Sequence, residues 1–96
     1  MTIVATPLFE HQLETLLTPA AETDPAAAKS FKLYLDTVLL NIPTKAKKYK
    51  PSLFFDDAAV KDVEHRGLII PFYYDEAADT YVVLGIVPKP QTEAVV

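Results

Sequence analysis

Two hydrophobic periods divide this chain. From His65 to Ile86 (HRGLIIPFYYDEAADTYVVLGI), two apolar, aromatic and β-branched arms, Leu68–Tyr74 and Tyr81–Ile86, flank the polar stretch Asp75–Thr80. That is the pattern of a β-hairpin. Both arms are almost continuously apolar, which puts the pair in the middle of a sheet covered on at least one face. Gly67 suits a tight turn from an earlier strand. Val60–Arg66 is read as that strand, although Ala58–Glu64 by itself fits a helical turn as well as a strand. Pro71 cannot donate to a ladder, so a bulge or a locally unpaired side is expected there. Pro88, Pro90 and the tail 91–96 are expected to end the sheet and fray.

The N-terminal half follows the helical period. Thr2–Ala5 (TIVA) is a short candidate strand. Thr6-Pro7 then gives an N-cap and a proline at the first helical position. Phe9, Leu13, Leu16 and Leu17 fall on one face of a helix expected to end before Pro19, with Pro19–Thr23 as a connection. Asp24-Pro25 repeats the start signal. Ala28, Phe31, Leu35, Val38, Leu39 and Ile42 form the apolar stripe of a second helix running to about Leu40, stopped by Pro43. Lys29 and Lys32 are a weakly repulsive pair off that stripe. Thr44–Pro51 (TKAKKYKP) reads as a basic loop, and Ser52–Asp57 (SLFFDD) as a short apolar piece ending in paired carboxylates. The order β-α-α followed by a β-meander predicts a single α+β domain over 1–90. Its sheet is antiparallel and carries an αα-hairpin on one face, and the first strand re-enters beside a meander strand.

Composition narrows the function classes. Ninety-six residues, half of them hydrophobic, suffice for one core. There is no cysteine, which excludes disulfides and thiolate metal sites and is compatible with a reducing cytoplasm. His11 and His65 stand far apart, and no ligand cluster at metal spacing is visible. No secretion signal or membrane span is read. The net charge of −4 argues against broad nucleic-acid binding, while leaving room for a small basic patch.

The element order, together with FFDDAAVKDVEHRGLIIPFYYDEAADTYVVLGIVPK, resembles the RelE/ParE superfamily of bacterial type II toxins, most closely the ParE-like branch. The resemblance implies a small cytoplasmic toxin, a cognate antitoxin that wraps it, and no cofactor. It also implies a cellular target, DNA gyrase for ParE-type members. RelE-type members are instead endoribonucleases that cleave mRNA on the ribosome. A degenerate toxin that keeps only antitoxin binding is a third reading.

Metal-free RNA cleavage needs cations to stabilise the transition state and groups that move protons. On the resemblance, Arg66 matches the family arginine at the end of a meander strand, and Lys89 the basic residue after the last strand. Beyond Lys89 stands only PQTEAVV, without the Arg, His or Tyr that nuclease members place there. The residues themselves allow a plainer role for Arg66, a turn pairing with Asp62 or Glu64. His65 is a candidate general acid or base, because histidine as a residue type has a reference pKa near neutrality, but alternation should turn it away from Arg66. Lys45, Lys47, Lys48 and Lys50 around Tyr49 could contact nucleic acid or an acidic partner, or form a solvated loop. Asp56-Asp57 is read as a cap, with Asp57 over Ala58–Lys61. Phe72, Tyr73, Tyr74 and Tyr81 are read as sheet and core. A helix face left partly open would become an antitoxin-docking groove.

Overall fold

The computed structural model describes residues 1–89; Pro90 and the tail lie outside the described residues. The chain starts with β1 (Thr2–Ala5) and turns into α1 (Pro7–Thr23) at Thr6. The Thr6 hydroxyl oxygen accepts the Phe9 amide at 3.1 Å, as the Thr-Pro signal requires. The expected stop at Pro19 is overturned: α1 runs through it to Thr23. Proline forfeits one helical hydrogen bond there, but the added turn is closed from its far end. The Asp24 amide donates to Ala20 O at 2.8 Å, and the Thr23 hydroxyl donates back to Pro19 O at 3.2 Å. The turn also lines a cavity of about 300 Å³ with Ala27, Ala28 and Phe31 of the next helix. The connection is Asp24 alone, because its carboxylate also accepts the Ala27 amide at 3.1 Å and starts α2 (Pro25–Leu40).

Pro43 does not end the helical region. It sits in the first turn of a short α3 (Ile42–Lys45), where its missing N–H has no partner to lose. Ile42 is thereby carried fully into the core. The predicted basic loop is also more ordered than a loop. After α3 come a 3-10 turn at Ala46–Lys48 and a two-residue strand, β2 (Lys50–Pro51).

β3 (Val60–His65) and β4 (Leu68–Asp75) pair antiparallel, with His65 opposite Leu68. The link is Arg66-Gly67, at φ 51° and 79°. Two positive φ values define the primed turn whose twist matches the strands, so Arg66 belongs to the turn and not to the strand predicted for it. β4 pairs onward with β5 (Thr80–Val83). The second arm, expected to run to Ile86, stops at Val83, and β6 (Val87–Pro88) then pairs with β4 at Ile69 and Leu68. Pro88, opposite Leu68, is the last strand residue among the described residues.

Polar groups of α1 hold the interruption. The Thr6 hydroxyl donates to Leu84 O at 3.0 Å, and the Gln12 side-chain oxygen accepts the Ile86 amide at 2.9 Å. Pro71 stands opposite this gap. Its register with Asp62 of β3 is unbroken, so there is no bulge. Its carbonyl accepts the Leu84 amide at 2.8 Å, and the N and O of a strand residue share an edge. The missing N–H thus falls where β5 has ended and β6 has not begun.

The order across the sheet is β1-β5-β4-β3-β2, with β6 also on β4. β1 lies parallel to β5, Thr2 opposite Thr80 and Ala5 opposite Val83, on the outer side of the meander. Both long helices cover one face of the sheet. Phe9, Leu13 and Leu35 from the helices meet Val63, Ile70 and Val83 from the strands, all buried.

Candidate functional site

The three residues matched to nuclease roles meet at one end of the sheet and then part. The Lys89 amide donates to Gly67 O at 2.8 Å, which brings Lys89 beside the Arg66-Gly67 turn. Its ammonium pairs with both Glu64 carboxylate oxygens at 3.2 Å. The Arg66 guanidinium lies 4.8 Å from the centre of the Tyr34 ring on α2, a cation–π contact. His65 alternates to the helix side, its ring 6.0 Å from that of Phe31, and its buried Nε2 has no hydrogen-bond partner. Each side chain faces a different neighbour.

The basic segment is divided too. Tyr49 turns inward, edge-on to Phe72 at 5.6 Å, and burial raises its phenol pKa above the ordinary value. It anchors the segment instead of offering a free ring. Lys45, Lys48 and Lys50 are exposed. Lys47 lines a cavity of about 270 Å³ with Lys61, Phe72, Tyr74 and Tyr81. Lys61 was missed in the sequence reading. Its signal was parity: two residues before Val63, it shares that residue's face and so points to the helix side, where its ammonium donates to Ala46 O at 3.1 Å. The Tyr74 and Tyr81 rings lie 4.6 Å apart. The Tyr74 hydroxyl donates to Asp79, a bond that pushes its pKa up to about 12 and holds the Asp79 carboxyl below its usual value. Asp57 closes a turn on Ala59 at 2.9 Å, as a cap should.

Two apolar hollows complete the surface. Between α1 and α2 runs a groove of about 540 Å³, floored by Phe9, Leu13, Leu17 and Leu39. Its rim carries Glu10 and Glu14 together with the Lys32–Asp36 pair, 2.7 Å apart. Where the sheet is interrupted, Leu8, Phe54, Phe55, Pro71, Leu84 and Val87 surround a hollow of about 230 Å³ that no titratable group lines. Leu8, Phe54 and Phe55 are 57%, 45% and 43% exposed, and Leu53 next to them 69%. Among the described residues, no three His, Asp or Glu side chains gather to hold a metal ion. No helix among them is long and apolar enough to cross a membrane.

Comparison with solved structures places this arrangement. The chain is similar to a protein in the crystal structure of the RelBE2 toxin–antitoxin complex from Mycobacterium tuberculosis. The TM-score is 0.63 at 12% identity, and the match covers 92% of this chain and 96% of the other. The chain has the RelE/ParE-like fold. No family model matches it, and no curated protein matches it either. In RelE/ParE-like terms, the β-α-α order, the meander and the return of β1 beside a meander strand stand as the sequence predicts, while the place of β1 outside β5 is added by the structure. The sequence pattern does not predict the interrupted last strand or the ordered basic segment.

Proposed function

We propose that this chain is the toxin of a type II toxin–antitoxin pair, acting in the cytoplasm on a protein target and neutralised by a cognate antitoxin. DNA gyrase is the target implied by the resemblance to ParE-type members. One observation carries the reading: the open hollow beside the interrupted sheet is apolar, with Leu53, Phe54 and Phe55 left in water around it. Exposed aromatic and aliphatic side chains grouped in this way suit a protein partner. Cations at Arg66 and Lys89 are engaged with Tyr34 and Glu64, which weighs against an endoribonuclease. The α1–α2 groove, apolar below and acidic at its rim, fits an amphipathic antitoxin helix with basic flanks.

The experiment is inducible expression in bacteria, alone and with the short reading frame beside its gene. Growth arrest with intact mRNA and disturbed DNA supercoiling, relieved by co-expression, is the expected result. Arg66→Asn is the companion variant, because asparagine tolerates positive φ and removes the guanidinium without straining the turn; it should leave arrest unchanged. Ribosome-dependent mRNA cleavage that Arg66→Asn abolishes would establish the nuclease instead. Harmless expression with retained antitoxin binding would make the chain a degenerate toxin.

A further inference from the structure

α2 has a second apolar side that neither the core nor the α1–α2 groove uses. Leu35 is fully buried, and Phe31, Val38 and Leu39 pack against the core. On the opposite side stand Ala26, Ser30, Leu33, Thr37 and Leu40, all exposed, with Leu33 60% and Leu40 71% in water. Their spacing alternates between four and three residues, the seam pattern of a coiled coil. Ser30, Leu33, Tyr34 and Thr37 enclose a hollow of about 280 Å³. At i, i+3, i+4 and i+7 they are the four sides of a hole into which a side chain of a facing helix fits. We propose that a second copy of this chain covers this side, α2 against α2, in an antiparallel two-fold dimer.

The stripe calls for a helix. A helix that is apolar on two sides is ordinarily covered on both. Ala26, Ser30 and Thr37 are small, so a facing helix can come close, and only Leu33 and Leu40 project from the seam. Tyr34 is exposed, yet the Arg66 guanidinium sits 4.8 Å from its ring centre. One wall of the hole is therefore placed before a partner arrives, which lowers the ordering cost of association.

The charges select which helix. Lys29 and Asp36 flank the stripe on one side, two turns apart. Lys29 enters none of the ion pairs among the described residues, and Asp36 gives one carboxylate oxygen to Lys32, keeping the other. A two-fold axis near Lys32 turns the face end for end. It sets Lys29 of each copy beside Asp36 of the other, and Leu33 of each beside Ser30 of the other. The face thus complements itself, whereas a partner of single charge sign would meet one flanking residue of its own sign. In a parallel pair Lys29 would face Tyr34 of the other copy, and with it the Arg66 cation. A seam one helix long buries less than the roughly 1,600 Å² of a standard interface, so this dimer forms and parts with concentration.

The test is sedimentation equilibrium of the full chain over a concentration series, which should show monomer and dimer in exchange. Leu33→Lys sets a cation beside Lys29 of the other copy and should hold the chain monomeric throughout. Its thermal midpoint should barely move, because the side chain it replaces lies in water. Lys29→Glu and Asp36→Lys should each weaken self-association about tenfold, since two attractive flanking pairs become repulsive. An equimolar mixture of these two variants should recover it, because every flanking pair is then opposite in sign. Glu76→Lys, at the turn between β4 and β5, should behave as the unaltered chain. The proposal falls if the unaltered chain is monomeric at every concentration, if Leu33→Lys still dimerises, or if the mixture associates no better than its components. A chain that is monomeric alone and loses a co-expressed antitoxin on Leu33→Lys would assign the stripe to that partner and overturn the dimer too. Should a charge variant fail to fold, Leu33→Lys decides the matter by itself. None of these readouts depends on growth arrest, so a failure here is separable from failure of the toxin reading.

Discussion

The Gln12 side-chain oxygen lies 2.6 Å from the point where a Cβ on Gly85 would stand. The same oxygen accepts the amide of Ile86, whose side chain is 1% exposed. Glycine at 85 and glutamine at 12 are therefore one device, which ties α1 to the break between β5 and β6. In Gly85→Ala the flexible carboxamide can retreat, but only by leaving a buried amide unpaired. A loss of about 1–3 kcal/mol is expected, and Gln12→Ala should lose a similar amount. The double variant should cost hardly more than either single one, because both remove the same hydrogen bond. Urea denaturation of the four proteins reads the cycle directly; additive losses would show that the two residues act apart.

The turn between β3 and β4 makes a second case. A Cβ on Gly67 meets nothing within 4 Å, yet the residue sits at φ 79°. The cost of Gly67→Ala is then conformational, about 1–2 kcal/mol. Arg66→Asn should be close to neutral, since asparagine accepts positive φ more readily while the ring contact it forfeits is worth about 0.5–1 kcal/mol. Arg66→Val, β-branched in a left-handed position, should be the least stable of the three. Thermal midpoints in one buffer rank them.

Tyr74 and Asp79 predict how stability depends on pH. Asp79 has a folded pKa below its ordinary value, chiefly through the Tyr74 hydroxyl and then through the terminal ammonium of Met1. Its contribution is present above the unfolded carboxylate range and is lost as pH falls through the folded pKa. Tyr74 is shifted the other way, up to about 12. Its contribution is present below about 10, the ordinary phenol value, and fades as pH rises toward 12. Tyr74→Phe should flatten both limbs. Tyrosinate absorbance should show a late-titrating phenol that vanishes in this variant; an unchanged titration would detach the bond from the shift.

Pro19 is exposed in the interior of α1. Pro19→Ala restores an amide to the helix and removes a ring from its preceding turn, so a gain of about 1–3 kcal/mol is expected. A loss instead would mean that the proline fixes the geometry with which the last turn meets α2.

The architecture was legible because it rests on period and caps. Thr6-Pro7 and Asp24-Pro25 mark both helix starts within a residue, and the arms around Asp75–Thr80 announce β4 and β5. What the chain order hides is decided at long range. Pro19 and Pro43 read locally as stops, yet Asp24 closes one helix while opening the next, and Pro43 falls at a first turn where proline costs little. The arm Tyr81–Ile86 is uniformly apolar, so nothing along it shows that Thr6 and Gln12, more than seventy positions earlier, will take hold of Leu84 and Ile86. The cleft at Lys47 and Lys61 depends on strand parity together with the path of a 3-10 turn. Parity could be read from the sequence, but the path of the turn could not.

The parallel pairing of Thr2–Ala5 with Thr80–Val83 also dictates a timetable. Those first residues leave the ribosome long before their partner strand exists, and closing so large a loop is slow even for a small domain. α1 and α2 can form early, but their apolar sides stay open until the meander arrives. During that interval the nascent chain exposes uncovered hydrophobic surface to chaperones, and to any protein made beside it.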